Sequence, residues 1–422
     1  MKINLVTTDM GYGHQRAAYP LLDLSQGKIF NTNDYQGMTD WEKKYWHNNL
    51  KSYETISRFK KVPLVGNLVF RIMDEMQKID PFYPNRDLSK LTLQQKFFQQ
   101  AIRKGLGKNL IESLAGNNLP LVTTFFVAAY MADHFNYPQN IYSIICDADA
   151  SRAWGPLKLK DSRIKFLLPS EKVKKRFLMY GVKEENIFVT GFPLPKENIG
   201  EKQEILIKDL AQRLVNLDPQ GEYQRKYQAL IKDVLPPLEK KTRPLTITFA
   251  VGGAGAQKEL GASILANLSG KIKKGEIKLN LVAGVRTEVK EYFREHLALN
   301  NISAGSGVEI IFASQKNDYF KIFNQVLRET DILWTKPSEL SFYAGLGLPI
   351  IMSEPVGSQE DFNREWLISI GAGIDSFDPR YTDEWLTDML NSGNLARAAM
   401  NGFLNAESMG TYNIERLINS SN

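Results

Sequence analysis

The sequence predicts an α/β protein with two parallel-sheet domains, and three observations lead to this prediction. The chain has 422 residues, about twice the length of an ordinary single-core domain. Strand-like apolar runs alternate with helical stretches in two successive sets, as in parallel sheets covered by helices on both faces. Each set also begins with a strand that runs into a glycine-rich turn. We therefore expect two doubly wound halves.

The strand-like runs are short, apolar and followed by turn residues, which is typical of buried strands. The first set comprises residues 3–7, 120–126, 141–146, 164–169 and 187–190. The second set comprises residues 245–251, 278–283, 308–312, 332–335 and 348–352.

These two sets define the predicted domains. Residues 1–196 form an N-terminal domain and residues 244–395 a C-terminal domain. Residues 197–243 are rich in Lys, Glu and Gln, and Pro244 follows them directly, so we expect a helical linker there. Residues 396–422 have helical spacing, and we expect this C-terminal helix to pack back on the N-terminal domain.

The composition indicates a folded protein from a reducing compartment. Hydrophobic residues make up 43% and charged residues 24% of the chain, as in average globular proteins. Cys146 is the only cysteine, which excludes an intramolecular disulfide and a four-thiolate zinc site. The first apolar run is too short for a signal-peptide core, and no run reaches the roughly 20 apolar residues of a membrane span. We therefore expect a cytoplasmic protein.

The net charge of +6 favours an anionic partner. A nucleoside diphosphate, an acidic lipid surface and nucleic acid all fit this charge. The basic residues are dispersed and no nucleic-acid-binding motif occurs, so we expect no nucleic-acid partner.

The first glycine turn is a candidate ligand site. Gly11, Tyr12, Gly13 and His14 follow the first strand, and glycine allows the backbone to approach a ligand closely. The third glycine of the dinucleotide-binding fingerprint is missing. An imidazole at the carboxyl edge of a parallel sheet can act as a base near neutral pH, so His14 is a candidate catalytic residue. A tight turn without a ligand is the alternative.

The second half of the chain has a similar glycine-rich turn after its first strand. Gly252, Gly253, Gly255 and Gln257 precede a helix-compatible stretch, and a helix N-terminus favours a bound anion. Two such turns, one in each domain, indicate a ligand-binding protein more specifically than either turn alone. We expect the two loops to face one cleft.

A third pattern follows the strand at residues 332–335. The chain reads Thr-Lys-Pro at 335–337, Gly-Leu-Pro at 347–349 and Gly-Ser-Gln-Glu at 357–360. This order resembles the GT-B glycosyltransferases related to monogalactosyldiacylglycerol synthase, to processive diacylglycerol glucosyltransferases and to the lipid-linked N-acetylglucosaminyltransferase of peptidoglycan synthesis. The resemblance extends over most of the chain and implies a GT-B fold, in which two Rossmann-like domains face a cleft.

The resemblance also implies a function and a set of site residues. The expected reaction moves a sugar, with inversion, from a nucleoside diphosphate, most simply a UDP-sugar, to a hydroxyl acceptor. No metal and no further cofactor are implied. The acceptor side of the expected site comprises Gly11, Tyr12, Gly13, Arg152 and Trp154. The donor side comprises Gly252, Gly253, Gly255, Gln257, Arg286, Lys336, Ser338, Glu339, Gln359, Glu360 and Asn363.

The chain departs from the family pattern between Lys336 and Pro349. This segment is about two residues shorter, and no carboxylate occupies the expected position of the ribose-binding glutamate. Either Glu339 replaces that carboxylate from one turn earlier, or the ribose contact differs. Tyr12 also stands where relatives carry a small residue.

Two further features concern the acceptor. Asp147 and Asp149 follow a strand and are candidates to orient His14 or to deprotonate the acceptor; an Asp-x-Asp metal site and a simple turn are the alternatives. Residues 41–108 interleave aromatic, aliphatic and basic side chains. This pattern fits either a helix in the membrane interface or ordinary core helices with a basic face. The resemblance favours a lipid acceptor and peripheral contact with the inner face of the membrane.

Two other functions remain open at this point. A GT-B epimerase or hydrolase would act on the nucleotide sugar itself, and would release an epimer or free sugar without an acceptor. A non-catalytic GT-B module would bind a nucleotide without turnover, as the missing ribose carboxylate allows.

Overall fold

The chain folds into two compact units. A computed structural model describes residues 2–59, 79–239, 243–251, 255, 257–303, 305–355 and 358–420, with the backbone alone for residues 50–59 and 358. One unit comprises Met1–Pro193 together with Met409–Asn422, and the other comprises Leu194–Ser408.

The first unit is built on a six-stranded parallel sheet in the order β2-β1-β3-β4-β5-β6. Its strands are β1 (Asn4–Thr7), β2 (Phe30–Asn31), β3 (Leu121–Thr123), β4 (Ile141–Ile144), β5 (Ile164–Leu168) and β6 (Ile187–Val189). Its helices before residue 193 include α1 (Gly13–Ala18), α2 (Asp40–Phe59), α3 (Leu93–Arg103), α4 (Lys108–Ala115), α5 (Phe126–His134) and α6 (Glu171–Met179).

The second unit contains a parallel sheet in the order β12-β11-β10-β7-β8-β9. Its strands are β7 (Leu245–Ala250), β8 (Ile277–Gly284), β9 (Val308–Phe312), β10 (Ile332–Thr335), β11 (Ile350–Met352) and β12 (Gly373–Asp375). Its helices include α7 (Glu204–Leu217), α8 (Glu222–Lys226), α9 (Gln228–Val234), α10 (Lys258–Lys273), α11 (Thr287–Leu299), α12 (Lys316–Glu329), α13 (Ser358–Ser369), α14 (Thr382–Asn391) and α15 (Asn394–Asn405). The last described helix, α16 (Gly410–Ser420), belongs to the first unit.

The central strands are buried along their whole length because helices cover both faces of each sheet. Every residue of β1, β3, β4 and β7 is buried. The two strands that the sequence did not predict, β2 and β12, are edge strands of two and three residues. Their side chains are less buried, so they lack the apolar run that marked the other ten.

Residues 197–243, expected as a linker, contribute instead to the core of the second unit. Leu210, Leu214 and Leu217 of α7 are fully buried there. Between them, the buried Arg213 donates hydrogen bonds to the carbonyl oxygens of Thr330 and Leu346 at 2.7 and 2.8 Å. Burial lowers the pKa of this guanidinium to about 10. A helix with these contacts is part of a domain rather than an exposed connection.

The C-terminal stretch divides between the units. The predicted boundary at residue 396 lies inside α15, whose Ala396, Ala399 and Met400 are in the core of the second unit. Further on, Asn413 of α16 donates to the carbonyl of Thr190 at 2.9 Å, a contact within the first unit. The chain therefore passes back to the first unit only after residue 408.

Candidate functional site

Each sheet has one point at which the strand order reverses. In the first unit the chain passes from β1 to β2 on one side and then to β3 on the other. In the second unit it passes from β7 to β8 and β9, and then to β10 on the opposite side of β7. Ligands of open parallel sheets bind outside the carboxyl ends of the strands at such a switch point. The loops after β1, β3, β7 and β10 are therefore the places to look for a site.

His14 lies at the switch point of the first unit and is oriented by the backbone. Its Nδ1 lies 2.7 Å from the carbonyl oxygen of Thr124, directly after β3. A carbonyl oxygen can only accept, so Nδ1 donates, and the neutral ring then carries its lone pair on Nε2. The ring also packs against Phe125 and Trp154, with centroids 5.2 and 5.8 Å away. This arrangement fixes both the tautomer and the direction of a base.

The loop that carries His14 depends on glycine. Gly11 is exposed and has φ +107°, in the region that favours glycine. Tyr12 is half-buried, and Gly13 begins α1. The predicted acceptor-side residues 11–13 and the predicted catalytic residue His14 thus form one tight strand-to-helix turn.

Asp149 is engaged in a buried ion pair, which argues against its predicted role as a base. Its side chain is fully buried, and its two oxygens accept from Nε and Nη2 of Arg176 at 2.9 and 2.8 Å. The same guanidinium stacks over the ring of Phe82 at 4.9 Å. A carboxylate held on both oxygens by a buried cation stabilises the loop rather than taking a proton. Asp147 is half-buried, and its role stays a prediction.

The alternative of an Asp-x-Asp metal site requires both carboxylates, and one of them, that of Asp149, is engaged in this ion pair. Within the described part of the chain, no group of three or more His, Cys, Asp or Glu side chains is placed to hold a metal ion.

Arg152 and Trp154, both predicted on the acceptor side, differ in what their side chains contact. Arg152 is buried and donates to the carbonyl oxygens of Ser89 and Pro156 at 3.0 and 3.1 Å. Burial lowers the pKa of its guanidinium. Its contacts hold the acceptor-side loop together, whereas Trp154 contacts the His14 ring directly.

In the second unit, the end of β7 is linked to the end of β11. Ser353 donates through Oγ to Oε1 of Gln257 at 2.7 Å, and Gln257 donates through Nε2 to the carbonyl of Glu354 at 2.9 Å. Gln257 has φ +70° at the start of α10. Gly252 and Gly253, the predicted centre of this loop, lie outside the described residues.

The surroundings of residue 255 account for the glycine at that position. It has φ +72°, and a Cβ there would lie 3.2 Å from both Cδ of Arg286 and Cγ2 of Val289. The backbone therefore passes close to Arg286, which follows β8 and pairs with Glu288 at 3.2 Å.

Lys336 and Glu360 form an ion pair that is mostly shielded from solvent. Lys336 follows β10, and Glu360 lies in the first turn of α13. Asn363, one turn further on, is fully buried and donates to the carbonyl of Pro337 at 3.4 Å. Gln359 is half-buried beside Glu360. The ends of β11, β10, β7 and β8 thus contribute Ser353, Lys336, Gln257 and Arg286 to one edge of the sheet.

The shortened segment after Lys336 is a 3₁₀-helix over Glu339–Leu346. A 3₁₀-helix rises about 2.0 Å per residue, against 1.5 Å in an α-helix. Its eight residues therefore span about 16 Å, the length of ten or eleven α-helical residues. Ser338 and Glu339 are half-buried at its start, where Glu339 stays a predicted ribose contact.

Sequence reasoning missed three components of these sites. The carbonyl of Thr124 has no side-chain signature, and Arg176 lies 27 residues from Asp149. Ser353 directly follows a predicted strand. This position at the sheet edge was the one signal in the sequence that could have identified it as a site residue.

Comparison with known proteins supports the fold. Residues 285–416 match a family model described as a domain of unknown function, DUF6938. No curated protein matches the chain significantly. MurG of Acinetobacter baumannii is 13% identical, with a TM-score of 0.51 over 100% of both chains. The S. aureus MnaA-UDP co-structure is 13% identical, with a TM-score of 0.50 over 100% of this chain and 97% of that one. The fold is GT-B.

The GT-B prediction is therefore confirmed. A UDP-GlcNAc 2-epimerase of Neisseria meningitidis, bound to UDP-GlcNAc, is also 13% identical, with a TM-score of 0.48 over 100% of both chains. At such identities the likeness concerns architecture alone.

No helix among the described residues is both long and apolar enough to cross a membrane.

Proposed function

We propose that this protein binds a nucleoside-diphosphate sugar in its second unit and transfers the sugar to a hydroxyl acceptor. The observation that carries the proposal is the group of polar side chains at the second switch point. Gln257, Lys336 and Arg286 come from three adjacent strand ends, beside the 16-residue helix α10. Two cations and a helix N-terminus suit a diphosphate. The UDP in the S. aureus MnaA co-structure supports UDP as the nucleotide.

The proposed reaction is an in-line displacement at the anomeric carbon. Nε2 of His14 accepts the proton of the acceptor hydroxyl while the oxygen forms the new glycosidic bond. The bond from the anomeric carbon to the nucleoside diphosphate breaks, and Lys336 and Arg286 balance the charge on the leaving group. Attack from the opposite face inverts the anomeric centre. A lipid-type acceptor and contact with the inner face of the membrane stay predictions of the resemblance.

A direct test combines nucleotide binding with product analysis. Thermal unfolding of the full chain is measured with a panel of nucleoside-diphosphate sugars, and UDP affinity by calorimetry. Lys336→Met should weaken UDP binding about 10- to 100-fold, the scale of one charge-assisted hydrogen bond. The matched control is Lys174→Met, which removes a lysine from an ion pair with Glu184 in the first unit. If no nucleoside diphosphate binds the wild type, the proposal is wrong.

Products then separate the candidate activities. Transfer requires an acceptor, so mass spectrometry of lipid extracts incubated with the bound donor should detect a new glycoside. An epimer or free sugar formed without an acceptor would instead identify an epimerase or a hydrolase. Nucleotide binding without any product would identify a non-catalytic module.

A further inference from the structure

The ion pair between Lys336 and Glu360 lies at the switch point of the second unit. Lys336 directly follows β10, whose last residue, Thr335, is paired with Ala250 at the end of β7. The ammonium group of Lys336 contacts a carboxylate oxygen of Glu360, and the two side chains are only 21% and 12% exposed. Charges that are shielded from water interact more strongly than charges in bulk solvent. An anion that binds Lys336 at the strand ends must therefore compete with Glu360.

Glu360 is held in place by contacts other than this ion pair. It lies in the first turn of α13. From the same helix, Asn363 donates to the carbonyl of Pro337 at 3.4 Å, and the buried Trp366 packs against Phe342 of the 3₁₀-helix with centroids 4.9 Å apart. These contacts fix α13 against the segment that follows β10. Removal of the Glu360 charge should therefore leave the helix where it is.

Lys336 is the partner that can move. A lysine ammonium is a point charge on a flexible stem, so rotation of the side chain alone lets it exchange one anion for another. A nucleoside diphosphate presents several anionic oxygens, whereas Glu360 presents a single carboxylate. The diphosphate can therefore draw the ammonium group away from Glu360 without any change in the backbone.

We propose that Glu360 competes with the diphosphate of the nucleotide for Lys336. This inference rests on the function proposed above and adds a role for Glu360 in the empty site. While the site is empty, the carboxylate neutralises Lys336; when a diphosphate binds, the ammonium group turns to it and the ion pair is lost. Loss of the pair lowers the affinity for the nucleotide. The competition thus favours release of the nucleoside diphosphate after the sugar has been transferred.

The test is titration calorimetry of the full chain with UDP. Glu360→Gln keeps the shape of the side chain but removes its charge, and should bind UDP about fivefold more tightly than the wild type, the scale of a partly shielded ion pair. Asp361→Asn removes the same charge from the next residue, which is exposed. This matched control should change UDP affinity by less than about twofold, because solvent and salt screen its charge. Melting curves of each variant confirm folding.

A double variant separates competition for the lysine from direct repulsion of the nucleotide. In Lys336→Met no ammonium group remains to be shared, so Glu360 acts on the diphosphate only through the repulsion between their charges. The gain in UDP affinity caused by Glu360→Gln should therefore be smaller in the Lys336→Met background, by about threefold or more.

Three outcomes would overturn the inference while UDP still binds. Equal UDP affinities of the wild type and Glu360→Gln would limit Glu360 to a contact with the donor sugar, which UDP lacks. Weaker binding by Glu360→Gln would show that the carboxylate orients Lys336 for the nucleotide. An equal gain in the wild-type and Lys336→Met backgrounds would show repulsion alone. Failure of the proposed function has a different signature, since neither the wild type nor any variant would then bind UDP, and the inference would fail with it.

Discussion

The two units share a topology but differ in the chemistry at their switch points. In the first unit, an imidazole held by a main-chain carbonyl is packed among aromatic rings. In the second unit, adjacent strand ends carry an amide that accepts a hydrogen bond from a hydroxyl, and two cations that are each paired with a carboxylate. The parallel sheet determines where a ligand can bind, and the side chains determine its charge. On the function proposed above, the first site would receive a neutral hydroxyl and the second a diphosphate.

The buried ion pairs differ in position as well. Asp149 and Arg176 lie beyond the carboxyl end of β4, on the edge that carries the His14 loop. Asp331 and Arg243 lie at the amino end of β10, on the opposite edge of the second sheet. The first ion pair therefore stabilises a loop of the candidate site. The second stabilises the edge of the second sheet at which its strands begin.

The largest expected effect is on stability. Asp149→Ala leaves the fully buried Arg176 without its carboxylate, and loss of one partner of a buried ion pair costs about 3–5 kcal/mol. Urea unfolding should show this decrease in the free energy of unfolding. Asp147→Ala, two residues away and half-buried, is the matched control and should cost less than about 1 kcal/mol. Equal stabilities of the two variants would return Asp149 to the list of candidate bases.

The next largest effect is on turnover. His14→Ala should lower turnover about 10²-fold, the scale for removal of a general base, and should leave UDP affinity unchanged because the proposed nucleotide contacts lie in the second unit. Initial rates and calorimetry measure the two quantities. His47→Ala, which removes an exposed histidine from α2, should change neither. Near-normal turnover of His14→Ala would transfer the role of the base to Asp147.

The sequence predicted the sheets and the loops better than the partners of individual side chains. Ten of the twelve described strands were recognisable because they are apolar and precede turns. Periodicity cannot show that Asp149 meets Arg176, since that contact depends on how α6 packs against β5 and β6. The same limit applies to α7, where charged residues suggested a linker although Leu210 and Leu214 already had the spacing of a buried face.

A smaller effect concerns acid stability of the first unit. Burial alone would raise the pKa of Glu42, but hydrogen bonds from Tyr35 and from the backbone of Thr39 and Gly107 outweigh it and hold the pKa below its usual value of 4.5. A lowered pKa means that this stabilisation is present above pH 4.5 and is lost as the pH falls further.

The variant Glu42→Gln should therefore be less stable at neutral pH, by about 1–3 kcal/mol, and should lose this part of the acid dependence. Thermal unfolding between pH 3 and pH 7 would measure both changes. Glu112→Gln removes an exposed carboxylate from the same unit and should follow the wild type. A parallel acid dependence in Glu42→Gln and the wild type would show that other carboxylates dominate.

The smallest expected effect is that of metal removal, and it tests the contrast between the two switch points most directly. If Lys336, Arg286 and the N-terminus of α10 balance the charge of the diphosphate, no divalent ion is needed there. In the first unit, Asp149 is already engaged by Arg176, so Asp147 lacks the second carboxylate of an Asp-x-Asp site. Turnover with excess EDTA should therefore match turnover without it. A complete loss that magnesium restores would instead assign the charge compensation to a metal, and UDP calorimetry of Lys336→Met with and without magnesium would then show which unit holds it.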